Sequence, residues 1–399
     1  MAETTCSEGV PFQRPSIGKE EEAAVLSVMR SGWLTTASVT LEFEKEFSAF
    51  VDDPARRPVI SLAVNSNTSG MSLAMAACGV APGTAVITTP YTFVSTAACA
   101  AHLGAEVLFA DTGPGSYNID PDRIEELLAA DTGRRIRAVV PVHICGNVCD
   151  MRRITELARR YNVKVIEDAA HSFPSRTELG HAGTIGDFGV FSFYATKTIT
   201  TAEGGMVCTR DAEAAELMRQ LRLHGMSRSL WNRYTEQKAS WQYDIVRLGY
   251  KCNLPDILSA IGREQLRKAE RFLEERRRIA GMYNSAFRGC DFLQTPPDGE
   301  GNAWHIYALR IRPEMLSIGR DGFARALQEK GIGISVHFIP LFHMTWWREH
   351  CPSLRPQNFP NAEDAFSRSI SLPLWPGMTE AMTQRVIDAV IRTGKEHRA

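Results

Sequence analysis

Three stretches of this 399-residue chain gather groups that can do chemistry. The apolar run Val163–Val165 leads into Glu167-Asp168-Ala169-Ala170-His171, so a carboxylate stands where a strand ends. Phe188–Phe193 leads into Tyr194-Ala195-Thr196-Lys197-Thr198, which places one lysine at the next strand end. Thr200-Thr201-Ala202-Glu203-Gly204-Gly205 follows it as a glycine-rich return. Upstream, Val64 runs into Asn65-Ser66-Asn67-Thr68-Ser69-Gly70 at the start of a helical stretch. Hydroxyls and free backbone N–H groups at a helix N-terminus favour an anion such as phosphate.

Taken singly, each group has an ordinary explanation. An Asp after a strand is commonly a cap or half of an ion pair, and a Lys is commonly a solvated charge. Together, at successive strand ends, they form a set. A lysine amine condenses with an aldehyde, a buried carboxylate keeps a pyridine nitrogen protonated, and a hydroxyl-rich turn holds a phosphate. Pyridoxal phosphate needs all three.

The hydrophobic pattern names the elements that must position these groups. Ala85–Thr89, Ala105–Ala110, Arg137–Val142, Val163–Glu167, Phe188–Phe193 and Met206–Thr209 read as short, nearly continuous apolar strands. Ser69–Cys78, Thr92–His102, Pro121–Ala130 and Met151–Tyr161 read as helices between the earlier ones. Such alternation predicts an α/β fold, a mostly parallel central sheet between helices, with its site at the carboxyl ends of the strands. Asp120, before Pro121, and Asp150 are the expected N-caps of their helices.

Beyond about residue 250 the texture changes. Asp256–Arg288 reads as one long charged helix, in which Arg276-Arg277-Arg278 is most simply a solvated face. A strand Ala303–Ile311, a helix Asp321–Lys330, a strand Gly333–Phe338 and a last helix from Thr379 follow. We therefore expect a large α/β domain, residues 1–250, and a small C-terminal α+β domain, residues 251–399.

Composition excludes some functions. Hydrophobic residues make up 44% and charged residues 23%, and 45 basic against 46 acidic side chains leave a net charge of −1. No whole-chain basic field exists to attract nucleic acid or an anionic membrane. No apolar run reaches the roughly 18–20 residues that span a bilayer. The polar, acidic stretch Met1–Pro15 carries no signal-peptide pattern, so a cytoplasmic location is expected. The nine cysteines are scattered without a C-x-x-C pair and read as free thiols. His143, Cys145, Cys149 and Asp150 can be drawn as a metal site, but the apolar stretch Ala138–Ile144 reads as a buried strand end, and no metal is expected.

The chain resembles the fold-type-I, pyridoxal-phosphate-dependent sugar aminotransferases of the DegT/DnrJ/EryC1/StrS family over nearly its whole length. Pro11-Phe12-Gln13-Arg14-Pro15-Ser16-Ile17-Gly18 and Ser31-Gly32-Trp33-Leu34-Thr35-Thr36 are similar to the family's opening. Further matches are Pro90-Tyr91-Thr92-Phe93-Val94, Pro141-Val142-His143, Glu167-Asp168-Ala169-Ala170-His171 and Phe191-Ser192-Phe193-Tyr194-Ala195-Thr196-Lys197. Glu203-Gly204-Gly205-Met206, His224-Gly225-Met226, Leu248-Gly249-Tyr250-Lys251-Cys252-Asn253 and Ser371-Leu372-Pro373-Leu374 complete the series. Each motif is weak alone; their order and spacing are specific.

The resemblance implies roles for particular residues. Lys197 would hold the cofactor covalently and shuttle the proton, and Asp168 would pair with the pyridinium nitrogen. His171 would lie near the ring oxygen, and Phe93 would stack on the ring, with simple core packing the lesser alternative. Thr68, Ser69 and Ser192 would hold the phosphate. Asn253 would reach it from a second subunit, making a homodimer with a shared active site. Ser66-Asn67-Thr68 replaces a usual Asn-Gly-Thr turn, and Asn tolerates the left-handed backbone. Gly70 replaces a usual small residue, Tyr194 a common His and Ala202 a common Gly. Position 197 is Lys, whereas related sugar dehydratases carry His there.

The resemblance also implies a substrate class: an amino group passes from L-glutamate to a keto-sugar, usually linked to a nucleoside diphosphate. Tyr250-Lys251-Cys252-Asn253-Leu254, His224-Gly225-Met226-Ser227 and Trp231-Asn232-Arg233-Tyr234 are more similar to the enzymes acting at C4 of the hexose than at C3. That points to a UDP- or dTDP-4-keto-6-deoxyhexose for surface polysaccharide or glycoconjugate biosynthesis, with Arg233 and His337 on the substrate side. A surface cation and a satisfied histidine at a strand end are equally good accounts of those two. A keto-cyclitol acceptor is the sister alternative. A pyridoxal-phosphate-binding regulatory paralogue without turnover is the alternative from another class.

Overall fold

The computed structural model describes residues 9–227, 243–297 and 301–399. Strands β1 (Ile60–Val64), β2 (Ala85–Thr88), β3 (Glu106–Phe109), β4 (Ile136–Val139) and β5 (Lys164–Asp168) come first. A short ribbon, β6 (Arg176–Thr177) and β7 (Gly180–His181), precedes β8 (Phe188–Ser192) and β9 (Gly205–Thr209). Seven strands form one sheet in the order β1-β9-β8-β5-β4-β2-β3. Neighbours from β3 through β8 run parallel, and β9 lies antiparallel to both β8 and β1. This is the expected α/β architecture.

Both sheet faces are covered, as parallel strands require. On one side Val64, Val190 and Val207 pack with Met71, Ala74 and Met218 of the flanking helices. On the other, Phe191, Phe193 and Met206 meet Phe43 and Phe47. Helices Pro121–Ala130 and Met151–Tyr161 start where the sequence places them, with Asp120 and Asp150 each accepting a backbone N–H at 3.0 Å.

The charged stretch after residue 255 forms two helices, Asp256–Arg267 and Ala269–Phe287, rather than one. The break falls at Lys268, whose ammonium is drawn to the two Glu21 oxygens at 2.7 and 2.8 Å. Strands β10 (Leu293–Gln294), β11 (Tyr307–Ile311) and β12 (Ser369–Leu372) then form an antiparallel sheet backed by helices Arg320–Glu329 and Glu380–Glu396. Val10 bridges to Ile332 and is buried in this second core, so the start of the described chain packs on its late part.

Two sequence expectations fail here for physical reasons. Gly333–Phe338 is not a strand: Ser335 makes a single bridge to Ser371, and the following residues turn toward a cavity. Nor is Arg276 solvated. It is fully buried, because three backbone carbonyls converge on its guanidinium. The His143 ring has both nitrogens engaged, one accepting from the Cys149 N–H at 3.2 Å and the other 3.0 Å from Glu167. No described helix is long and apolar enough to cross a membrane.

Candidate active site

A cavity of about 410 Å³ opens at the carboxyl ends of β5 and β8, beside the N-terminus of helix Asn67–Ala77. Lys197, Asp168, Thr68, Ser192, His171, Phe93 and His337 all line it. These residues lie as far as 269 positions apart in the chain. The topology of the sheet brings them together.

Asp168 ends β5 and is buried. One carboxylate oxygen accepts the Thr96 hydroxyl at 2.8 Å; the other accepts the Ala170 N–H at 3.2 Å and the Asn67 side-chain amide at 3.3 Å. Burial raises its pKa, while the Thr96 and Ala170 donors and the nearby Lys197 act in the opposite sense. The donors thus hold a charge in place against the cost of desolvation.

Lys197 sits in a tight turn after β8, its N–H donating to the Tyr194 carbonyl at 2.9 Å. Burial pushes its amine down to about 8, with Asp168 partly restoring the charged form. An amine so placed has a substantial neutral fraction near pH 7–8, which a nucleophile or a base requires.

The anion end is built on Ser66. It is the N-cap of helix Asn67–Ala77, with its hydroxyl accepting the Ser69 N–H at 3.1 Å. Asn67 does not take the left-handed conformation anticipated from its place in the turn. It begins the helix, and its side chain dips under it to Asp168 and to the Val190 carbonyl at 3.0 Å. Gly70 is required one turn on, since a Cβ there would lie 2.7 Å from Val190 Cγ1. Ser69 is outside the cavity lining and directs its hydroxyl to Asn65 at 2.7 Å. Ser66 takes the wall position instead.

Phe93 is 58% exposed, so it is not a core residue. Its ring stands 6.1 Å from that of Phe338, another residue of the lining. Three histidines share the same lining. His171 accepts the Cys145 N–H at Nδ1 (3.3 Å) and lies 4.4 Å from the His305 ring. His337 bonds to Ser371 at 2.9 Å. Burial pushes His337 down to about 4 and holds His171 and His305 well below the ordinary range, so all three are neutral.

Asn253 is buried outside this cavity. It bridges to Val64, donates to Thr36 and accepts from Lys251. Arg233 lies outside the described residues.

The DegT/DnrJ/EryC1/StrS aminotransferase family model matches residues 15–391. The chain belongs to this family. It is 41% identical over 384 residues to the spore coat polysaccharide biosynthesis protein SpsC of Bacillus subtilis, covering 96% of each chain. Among solved structures, Spr1654 of Streptococcus pneumoniae in its pyridoxamine phosphate form superposes with a TM-score of 0.88 at 27% identity, over 97% of this chain and 99% of that one. PseC of Helicobacter pylori, an aminotransferase involved in the biosynthesis of pseudaminic acid, gives 0.87 at 26%, over 98% and 100%.

As a member of the family, the protein is a pyridoxal-phosphate-dependent aminotransferase of fold type I. The residues present fit that cofactor. A buried, triply bonded carboxylate, an amine with a lowered pKa and a capped helix N-terminus face one cavity. Sequence reasoning missed Thr96 and His305 and did not give Asn67 its contact with Asp168. Thr96 lies one helical turn from Thr92, in the stretch Thr92–His102 that reads as a helix, and that spacing was the available signal. His305 carries no local signal beyond its place in the strand-like run Ala303–Ile311.

Proposed function

We propose that this aminotransferase moves an amino group from L-glutamate to a keto-sugar, at C4 of a nucleotide-linked 4-keto-6-deoxyhexose. The single observation that carries the reading is that Lys197, Asp168 and the Ser66-capped helix start share one cavity. The sugar part of the reading is supported by the relatives, since SpsC is named for polysaccharide biosynthesis and Spr1654 is described as a putative sugar aminotransferase. The eight free thiols among the described residues support residence in a reducing compartment such as the cytosol.

Bound pyridoxal phosphate supplies the electron sink that makes the substrate C–H bond acidic. The protein's own residues do the rest. Asp168 holds a proton at the ring nitrogen, fixed by Thr96, Ala170 and Asn67. Thr68, Ser66 and Ser192 bind the phosphate end with hydroxyls and helix N–H groups. The Phe93 ring, exposed at the cavity edge, covers one face of the site and limits water. Lys197 Nζ removes the proton from the donor's α-carbon and returns one to the acceptor carbon. His337 hydrogen-bonds the acceptor sugar, and Asn253 of a second copy completes the phosphate site, so the working unit is a homodimer.

Purified protein incubated with L-glutamate alone should convert its cofactor to the pyridoxamine form, which separates a working enzyme from a regulatory paralogue. The pyridoxamine form should then aminate dTDP- or UDP-4-keto-6-deoxyhexose faster than a 3-keto isomer or a keto-inositol. Faster turnover of the keto-inositol would overturn the substrate reading while leaving the chemistry intact. Mixed Lys197→Ala and Asn253→Ala subunits should regain part of the activity each lacks alone; no recovery would refute the shared site.

A further inference from the structure

Arg276 is the least expected side chain in the molecule. It lies on helix Ala269–Phe287, is fully buried, and makes no ion pair with a carboxylate among the described residues. One nitrogen, Nη1, donates to the carbonyls of Trp304 (3.2 Å), His305 (3.1 Å) and Leu374 (3.0 Å). Its Nε and Nη2 are buried without a hydrogen-bond partner among the described residues. A buried cation without a counter-charge is expensive, and the convergent carbonyl dipoles are what offset it.

Those carbonyls belong to a constrained turn. Trp304 has φ +49°, a left-handed value that a bulky residue adopts only when its surroundings impose it. The Asn302 side chain accepts the Trp304 N–H at 2.8 Å, and the Ala303 N–H donates to Gly146 at 3.0 Å. The next residue, His305, is buried in the cavity wall against His171, and its Nδ1 has no hydrogen-bond partner among the described residues. The same short segment therefore has a buried cation behind it and an unsatisfied ring nitrogen in front.

We propose that Arg276 is a positioning residue of the active site, acting through the Trp304–His305 turn to hold the His305 ring where its Nδ1 hydrogen-bonds the bound substrate. The inference rests on the reading of this cavity as the aminotransferase site. Only one guanidinium nitrogen is used, so an ammonium group, with three N–H donors for three carbonyls, can do the same work. The charge and its reach matter; the planar fork does not.

The test uses holoenzyme carrying Arg276→Met, Arg276→Lys, His305→Ala and the Arg276→Met/His305→Ala pair, with Lys197→Ala alongside. Three quantities are read: kcat/KM of the glutamate half-reaction well below the melting temperature, visible circular dichroism of the bound cofactor, and Tm of the apo-protein. Arg276→Met should lower kcat/KM by roughly 10- to 100-fold, as a displacement near 1 Å does. It should change the visible dichroism in the same direction as His305→Ala. Arg276→Lys should stay within about fivefold of wild type. In the His305→Ala background Arg276→Met should add less than about twofold, as expected of residues acting through one another. Penalties that multiply would overturn the proposal. So would an Arg276→Met protein with lowered Tm but wild-type kcat/KM and dichroism. Arg276→Gln gives the same comparison if the Met variant does not fold. An active Lys197→Ala protein would instead refute the aminotransferase site itself.

Discussion

The Thr96 hydroxyl donates to Asp168 at 2.8 Å across 72 residues of sequence. The bond ties the helix Ser95–His102 to the end of β5 and orients the one buried carboxylate in the cavity. Burial raises the Asp168 pKa and the Thr96 hydroxyl lowers it. Thr96→Val keeps the shape and removes the donor, so the carboxyl should titrate at higher pH. We expect kcat/KM at pH 7 to fall about tenfold, near 1.4 kcal/mol for one hydrogen bond to a charged group. The acid limb of the pH–rate profile should move upward. Thr96→Ser, which keeps the donor, should be near wild type. An unmoved acid limb in Thr96→Val would show that another group sets it.

Lys197 bears on stability as well as on reaction. Its amine is held down to about 8 by burial, against an ordinary value of 10.5. The folded apo-protein therefore binds this proton less tightly than the unfolded chain does. Below pH 8 the burial of the charged amine opposes folding, and that cost is relieved as pH rises from 8 toward 10.5. Lys197→Met should abolish transamination yet raise the apo-protein Tm by a few degrees at pH 7. The gain should shrink on approaching pH 10. Borohydride should attach the cofactor covalently to wild-type protein and not to this variant. A Tm below wild type at pH 7 would refute the stability argument.

Neighbouring carboxylates in Glu167-Asp168 do different work. Glu167 is fully buried and accepts the N–H groups of Gly183 (2.8 Å), Ile185 (2.7 Å) and Gly186 (2.7 Å), besides facing His143 at 3.0 Å. It closes the loop before β8 and does not enter the cavity. Glu167→Gln would turn an amide NH₂ toward backbone donors. We expect a loss of about 3 kcal/mol, the cost of breaking a buried charge network. Urea or thermal unfolding should report it, with kcat little changed in the fraction that folds. A wild-type midpoint would show that the loop tolerates the lost acceptor.

How much of this was readable follows from distance in the chain. Asp168 and Lys197 announce themselves because each follows an apolar strand, and an α/β sheet puts its chemistry at such ends. The phosphate end was half legible: the run of hydroxyls marks the helix start, but which of Ser66 and Ser69 faces the cavity depends on helix rotation. Asn67 was read through its backbone, while its role lies in a side chain buried beneath the helix. His305 and Arg276 were illegible because neither has a local pattern. Arg276 sits among charged residues, and only carbonyls from residues 304, 305 and 374 decide that it is buried.

Ala202 offers a test at a position whose backbone favours glycine. Its φ is +69°, in the left-handed region, and its N–H donates to the Thr200 hydroxyl at 2.8 Å. A Cβ in that conformation costs roughly 1–2 kcal/mol. Glycine removes the clash but adds about 0.5–1 kcal/mol of unfolded-state entropy. The difference favours the folded state, so Ala202→Gly should raise stability by up to about 1 kcal/mol. The residue belongs to the return between Lys197 and β9 and is absent from the cavity wall, so transamination should be unaffected. Denaturant midpoints of the two proteins, at equal cofactor occupancy, decide the matter. A less stable glycine variant would mean that the Thr200–Ala202 contact already absorbs the strain.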